Sequence, residues 1–225
     1  HNVSSAASDV YKRQLFNNIF EVAIPASASP LLTVGTILVL TGLVGTFGTE
    51  ALAGYGIGSR VEFLMIPLIF GIGTAMTSIV GANIGAHNIE RAETVGIYGG
   101  SLAGIVSIFI GLTLALFPDL WIQYFTNDPK ASEITKMYIQ IVGPFYVFQG
   151  VGLSLYFASQ GANAMKWPTI ATVGRFLIAS IGGSISIYWL GFGIESIFLS
   201  SSIAMMVFGL TIFISIKRGA WRKIS

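Results

Sequence analysis

The second long apolar stretch of the sequence contains two opposite charges two residues apart. In GIGSRVEFLMIP, Arg60 and Glu62 are surrounded by apolar residues and glycine, and a later apolar stretch contains Arg175. A charge at the centre of a bilayer costs at least about 2.5 kcal/mol, so such residues usually pair or line a water-filled cavity. If these stretches cross a membrane, the three side chains are candidates for contact with a charged substrate or ion.

Helix geometry limits how these charges can pair. Residues two apart on a helix point about 200° apart, so Arg60 and Glu62 are poorly placed to pair with each other. Arg175 is then the predicted cationic partner of Glu62. Two alternatives stay open: both residues of the second stretch line a wet cavity, or the true span begins at Phe63 and leaves them among the headgroups.

Other polar residues in apolar stretches extend this candidate pathway, namely Tyr146, Gln149 and Gln160. Chemistry of other kinds has little support. The absence of cysteine excludes disulfides and thiolate sites, and the acids and histidines lack metal-ligand spacing. GYGIGS neither follows a strand nor opens a βαβ unit, so nucleotide binding is not expected. The sequence therefore predicts neither an enzyme nor a metal protein.

The composition indicates the surroundings in which these residues act. Of the 225 residues, 53% are hydrophobic and 10% are charged, whereas soluble domains carry about 25% charged residues. About 20 apolar residues cross a bilayer. Six spans are predicted: 22–47, 51–84, 95–117, 137–158, 168–190 and 194–216. Short connections predict an all-α membrane protein with the six helices in an up-and-down bundle.

The rest of the chain is divided around this bundle. Residues 1–14 are expected to be a non-native or disordered leader, 15–217 the membrane lobe and 218–225 a cytoplasmic tail. Between the third and fourth spans, DLWIQYFTNDPKASEITK predicts a short helix in the membrane interface.

Lysine and arginine predict the orientation of the bundle. Eight of them fall on one side of the predicted spans and two on the other, which places both termini on the cytoplasmic side of a cell membrane. All four tryptophans fall at predicted span ends, as in an interfacial aromatic belt. A net charge of +2 does not indicate a nucleic-acid partner. The residues on the cytoplasmic side are Lys12, Arg13, Arg91, Lys166, Lys217, Arg218, Arg222 and Lys223, and those opposite are Lys130 and Lys136.

Glycine and proline predict close packing and places where helices bend. Small residues four apart, such as Gly54 and Gly58, allow helices to approach closely, or to slide past one another. Prolines remove a backbone hydrogen bond and favour kinks, which makes Pro25 and Pro67 hinge candidates. The stretch GANIGAHNIERA predicts a helix end, a left-handed residue supplied by glycine or asparagine, and Asn88 as the cap of the next helix. Its hinge candidates are Gly81, Asn83 and Gly85.

The stretch from 51 to 92 resembles the multidrug and toxic compound extrusion (MATE) family of transporters. The resemblance lies in ALAGYGIGSRVE, GIGTA and VGANIGAHNIERA, and GPFYVFQGVG, FASQGAN and WPTIATVGR are similar to later family segments. It covers most of residues 20–216. It implies a lobe of six helices from a twelve-helix transporter, whose other, N-terminal lobe would be the chain's partner.

The resemblance also implies a function. Such transporters export organic cations and other amphipathic compounds by antiport against sodium ions or protons, with no cofactor besides that coupling ion. Family members with an ion site in this lobe use acids in its first and fourth spans. Here the first span offers only Glu21 and the fourth offers none, so either the coupling acid lies in the other lobe or Glu62 replaces it. Alternatives are a flippase for lipid-linked oligosaccharides and a half-size subunit that dimerises.

The predicted orientation can be tested because the chain has no cysteine of its own. A cysteine introduced by Lys130→Cys should react with a membrane-impermeant maleimide applied to intact cells. A cysteine introduced by Lys166→Cys should react only after the cells are opened. The reverse pattern would overturn the topology.

Overall fold

The computed structural model describes residues 23, 27 and 29–222 of the chain. The predicted leader, 1–14, lies outside these residues, and so do Glu21 and Pro25. Within the described residues the regular structure is helical, and no strand is found there. The helices are α1 (Ser29–Gly45), α2 (Thr49–Gly85), α3 (Ile89–Leu116), α4 (Asp119–Ile122), α5 (Pro129–Val142), α6 (Tyr146–Gly161), α7 (Lys166–Leu177), α8 (Gly183–Tyr188) and α9 (Ile194–Lys217).

Five helical segments of the described chain are long and apolar enough to cross a membrane. They have 23 to 37 residues, and α5 with α6 and α7 with α8 each form one span. The first predicted span is represented by α1, a shorter apolar helix. The prediction of an all-α bundle of membrane helices is confirmed. The spans are Thr49–Gly85, Ile89–Leu116, Pro129–Gly161, Lys166–Tyr188 and Glu195–Lys217.

The predicted start of the fourth span, Met137, is wrong. The helix begins at Pro129, and the Asp128 side chain accepts a hydrogen bond of 2.9 Å from the backbone N–H of Ala131. An aspartate cap followed by proline is a favourable helix start. The charges at Lys130 and Lys136 are compatible with the helix because they lie on its exposed face.

The predicted interfacial helix is reduced to a single turn, α4. Its Trp121 turns toward α2, where the indole N–H donates a 3.0 Å hydrogen bond to the carbonyl of Ile57. Trp221 also departs from the predicted aromatic belt, since it is only 1% exposed. Trp167 and Trp189 are exposed, as a belt requires.

Helix α6 lies at the centre of the bundle and packs against α2, α3 and α9. These contacts place backbone against backbone. A Cβ at Gly111 of α3 would overlap the carbonyl oxygen of Gly143, and one at Gly161 of α6 would overlap the carbonyl of Thr77. Small residues at these crossings therefore serve the close packing that the sequence predicted.

Two spans are interrupted in the middle. Gly143–Phe145 forms a 3₁₀ turn between α5 and α6, where Pro144 cannot donate a backbone hydrogen bond. Residues Ile178–Gly182 form a π-helical turn between α7 and α8, and the Ser200 hydroxyl donates a 2.9 Å hydrogen bond to the carbonyl of Ile178. Pro67, in contrast, lies within the continuous helix α2 and is exposed.

The crossing of α3 and α6 provides a test of this packing. Gly111→Ala should lower the melting temperature of the purified protein, because overpacking destabilises by about 1–3 kcal/mol. Gly71→Ala is the matched control, since a Cβ at Gly71 meets nothing within 4 Å. The melting temperature is measured in detergent, and an equal response of the two variants would contradict the packing.

Candidate functional site

Glu62 is held inside the bundle by a tyrosine from another helix. It lies 13 residues after the start of α2, about 20 Å along the helix. The Tyr138 hydroxyl of α5 donates a 2.5 Å hydrogen bond to Glu62 Oε1, and Tyr138 is 2% exposed. Hydrogen bonds to a charged group contribute about 1.5–3 kcal/mol. A polar pair is therefore built between two membrane helices.

Aromatic rings surround the tyrosine of this pair. The Tyr138 ring meets Tyr55 of α2 and Phe198 of α9 edge to face, with centroid distances of 5.5 and 5.1 Å. Gly58 gives it room on α2, since a Cβ there would come within 2.5 Å of the ring. The Tyr138 hydroxyl is consequently directed at Glu62 by packing against two other helices, α2 and α9.

Two predicted pathway residues on α6 lie three positions apart, on one face of the helix. Tyr146 is fully buried and Gln149 is 6% exposed. The Tyr146 hydroxyl and Gln149 Oε1 have no hydrogen-bond partner within the described part of the chain. Buried polar atoms usually have a partner, so this face is suited to a small polar or charged guest.

The structure does not form the predicted ion pair between Glu62 and Arg175. Among residues 29–222, the one ion pair joins Glu93 to Arg222. Arg175 is half-buried, with its guanidinium 5.5 Å from the centre of the Phe208 ring. Glu62 thus takes a tyrosine hydroxyl as its partner, and the cation stays at a distance.

The other predicted pathway residues lie apart from this pair. Arg60 is exposed and covers the Phe125 ring at 5.5 Å from its centre. Gln160 is eleven residues after Gln149 on α6, about 16 Å along the axis. Their part in a pathway stays a prediction.

The predicted hinge residues occupy different surroundings. A Cβ added at Gly81 would lie 3.1 Å from the carbonyl oxygen of Gly161. A Cβ added at Gly85 would meet nothing within 4 Å. Asn83 donates a 2.7 Å side-chain hydrogen bond to the carbonyl of Ile79 within its own helix. Pro25 lies outside the described residues, and Pro67 is exposed. Whether the protein bends at these positions stays a prediction.

The turn between α2 and α3 differs from the prediction in one residue. The left-handed conformation belongs to His87, with φ of 57°, and not to a glycine or asparagine. Asn88 caps α3 as predicted, because its side chain accepts a 3.3 Å hydrogen bond from the backbone N–H of Arg91.

An ion pair that the sequence did not predict joins the start of α3 to the residues that follow α9. Arg222 donates to both oxygens of Glu93, with distances of 2.9 and 2.6 Å. These hydrogen bonds raise the pKa of the Arg222 guanidinium, which therefore stays charged. Next to it, Trp221 packs against Gly96 of α3. The residues after α9 are thus fastened to α3, across a separation of 129 residues that no local pattern reveals.

With this geometry, comparisons with known proteins identify the family. The family model MatE matches residues 25–185, which is more than half of the chain. The chain therefore belongs to the MatE family. The family that the sequence motifs resembled is confirmed.

Similar proteins include several that are named for drug resistance or export. A "Probable multidrug resistance protein NorM" of Thermotoga maritima is 31% identical over 68% of this chain and 33% of its own length. The "Multidrug export protein MepA" of Staphylococcus haemolyticus is 20% identical over 79% of this chain and 41% of its own length. The chain thus spans less than half the length of these curated relatives.

Solved structures show the same fold. The Vibrio cholerae MATE transporter VcmN in the bent form superposes with a TM-score of 0.83 at 20% identity, covering 93% of this chain and 48% of that one. A transporter of the MOP superfamily from Pyrococcus furiosus superposes with a TM-score of 0.80 at 22% identity, covering 92% of this chain and 48% of that one. The chain therefore has the fold of about half of such a transporter.

The pairing of Glu62 and Tyr138 can be tested without altering the packing. Tyr138→Phe keeps the ring and removes the hydroxyl, so the melting temperature should fall, in line with the loss of about 1.5–3 kcal/mol. Tyr98→Phe is the control because Tyr98 is 74% exposed. No difference between the two variants in thermal unfolding would show that the hydrogen bond does not stabilise the bundle.

Proposed function

We propose that this chain forms one lobe of a cation-coupled transporter that exports organic cations and other amphipathic compounds. Family membership supports the transport class, and the names of relatives as multidrug resistance and export proteins support the substrate class. The partner in this proposal is a second six-helix lobe, as the coverage of about half of each solved transporter suggests. The setting is a cell membrane, with both termini in the cytoplasm.

Within this lobe, we assign ion coupling to Glu62. The observation that carries the assignment is a half-buried carboxylate within a membrane helix, fastened by Tyr138 and without an ion-pair partner among the described residues. Ionisable residues inside membrane spans are rare and usually functional. Such a carboxylate gains a counter-charge by taking up a proton or a sodium ion, and either event removes a buried negative charge.

Two oxygen atoms on α6, unpartnered among the described residues, suit the binding of a hard cation. The tyrosine hydroxyl and amide oxygen of Tyr146 and Gln149 are oxygen ligands of the kind that hard cations prefer. A proton would need only the carboxylate itself, with Tyr138 as its hydrogen-bond partner. The proposal therefore names sodium ions or protons as the coupling ion, and no other cofactor.

Flippase activity toward lipid-linked oligosaccharides has less support. An anionic lipid-linked substrate calls for several cations along one cavity. The Arg60 side chain lies over the Phe125 ring and the Arg175 side chain over the Phe208 ring, so the two arginines make separate aromatic contacts. The two intramembrane arginines thus do not form a cationic row, and the efflux proposal is preferred.

Neutralising the acid tests the assignment directly. Glu62→Gln keeps the size of the side chain and an oxygen that accepts the hydrogen bond from the Tyr138 hydroxyl. The amide carries no negative charge, so it cannot neutralise a cation. We expect the variant to reach the membrane in normal amount. The resistance that it gives to cationic dyes should fall by at least about tenfold. The measurement is growth of cells stripped of efflux pumps, with the chain joined behind a first six-helix lobe of this family.

Two controls accompany the Glu62→Gln measurement. Glu90→Gln removes an exposed acid at the start of α3 and should leave resistance unchanged. The chain expressed alone should give no resistance, and robust resistance from it would favour a half-size dimer. Full resistance of Glu62→Gln would refute the coupling assignment, and low expression of that variant alone would identify Glu62 as structural.

A further inference from the structure

A cavity of about 750 Å³ lies where α7 begins and α9 ends. Its volume is within the range of about 300–1,000 Å³ that is usual for small-molecule sites. Two cations line it, Lys166 and Arg218, and no acidic side chain is among its described lining residues. Its wall is apolar, with Leu210 and Ile214 of α9 and the ring of Trp167.

This cavity is separate from the site around Glu62. Its walls come from the half of the bundle where α2 ends, which also holds the buried Ile212, Ile216 and Trp221. Tyr138 and Phe198 belong to the other half, where α2 begins. The transport proposal therefore leaves the cavity unexplained.

The order of chemical groups along the cavity matches the position of the membrane surface. Lys166 opens α7 and Arg218 follows the last residue of α9, so both cations lie at span ends, where headgroups are found. Ile214 and Leu210 precede Arg218 by four and eight residues, about 6 and 12 Å deeper along the helix. A charged opening thus leads into an apolar wall that runs toward the hydrocarbon layer.

We propose that this cavity binds one anionic phospholipid from the leaflet at that surface. Its phosphate lies between Lys166 and Arg218, and one acyl chain runs along Leu210 and Ile214 past the Trp167 ring. Basic pockets between membrane helices on the cytoplasmic side are suited to anionic headgroups. Two cations without an acid favour a headgroup with net negative charge over a zwitterionic one, and the apolar wall favours a ligand with a chain over free phosphate. The assignment does not depend on the proposed transport activity.

Quenching by brominated lipid tests the site, because bromine quenches tryptophan only at close contact. The purified chain is reconstituted in phosphatidylcholine bilayers that contain increasing fractions of brominated phosphatidylglycerol or brominated phosphatidylcholine. The Trp167 signal is the difference between the unmodified protein and Trp167→Phe. We expect half-maximal quenching at an about tenfold lower fraction of the anionic lipid, given two cations near the surface.

Matched double variants separate a site from a general surface potential. Lys166→Gln with Arg218→Gln should reduce the tenfold preference to about twofold or less. Arg91→Gln with Lys217→Gln removes two cations from the same end of the bundle, neither of which lines the cavity, and should keep the preference. Lys217 instead lies over the Phe213 ring, 5.3 Å from its centre.

A conservative variant guards against loss of folding. Lys166→Arg with Arg218→Lys preserves both charges and should retain the preference, with circular dichroism reporting the helices of every variant. Equal quenching by the two lipids in the unmodified protein would overturn the proposal. Equal loss of preference in both glutamine double variants would also overturn it, because binding would then follow surface charge alone.

Discussion

The bundle depends on how closely α6 approaches its neighbours. In lipid there is no hydrophobic force between apolar helices, so association relies on tight contact and on polar groups that meet across the interface. Here the backbone of α6 lies against α2 at Gly161. The backbone of the turn before α6 lies against α3 at Gly143. A third contact occurs at Gly150, where a Cβ would lie 2.6 Å from the carbonyl oxygen of Ala103. Helix α6 also packs on α9, so it contacts three of the other spans.

This close packing also decides where the polar residues lie. The 3₁₀ turn at Gly143–Phe145 joins α5 to α6, so Tyr138 before it and Tyr146 after it belong to one span. Gly54 and Gly58 let α5 approach α2, and the Thr135 hydroxyl donates a 3.0 Å hydrogen bond to the carbonyl of Gly54. One turn further along α5, the same approach brings the Tyr138 hydroxyl to Glu62. The polar pair is therefore a result of helix packing that small residues permit.

The sequence revealed the spans because their signal is local. An apolar run of sufficient length predicts a membrane helix wherever it packs. The start of α5 was missed because hydropathy penalises Lys130 and Lys136, although Asp128 followed by Pro129 is itself a good helix start. Length of apolar sequence and helix capping are separate signals, and capping gives the better boundary when a helix extends beyond the apolar layer.

The partners of the charged residues could not be predicted in the same way. Glu62 and Tyr138 are 76 positions apart, and Arg175 was chosen as partner by charge alone. A usable signal existed in the pair Gly54 and Gly58, which marks the face of α2 that another helix covers. It does not reveal which helix, so the assignment to α5 required the structure. The pairing of Glu93 with Arg222, 129 residues away, likewise gave no local sign.

The contacts at the two ends of the bundle bear on how such a lobe could move. At one end, the Trp121 indole binds the backbone of α2 and Thr135 binds the carbonyl of Gly54. At the other end, Arg222 donates two hydrogen bonds to the Glu93 carboxylate and Trp221 packs on Gly96. Glycine faces let helices slide, but sliding of α2 at one end or of α3 at the other would break these polar contacts. The small residues of this lobe are thus better explained as packing surfaces than as sliding surfaces.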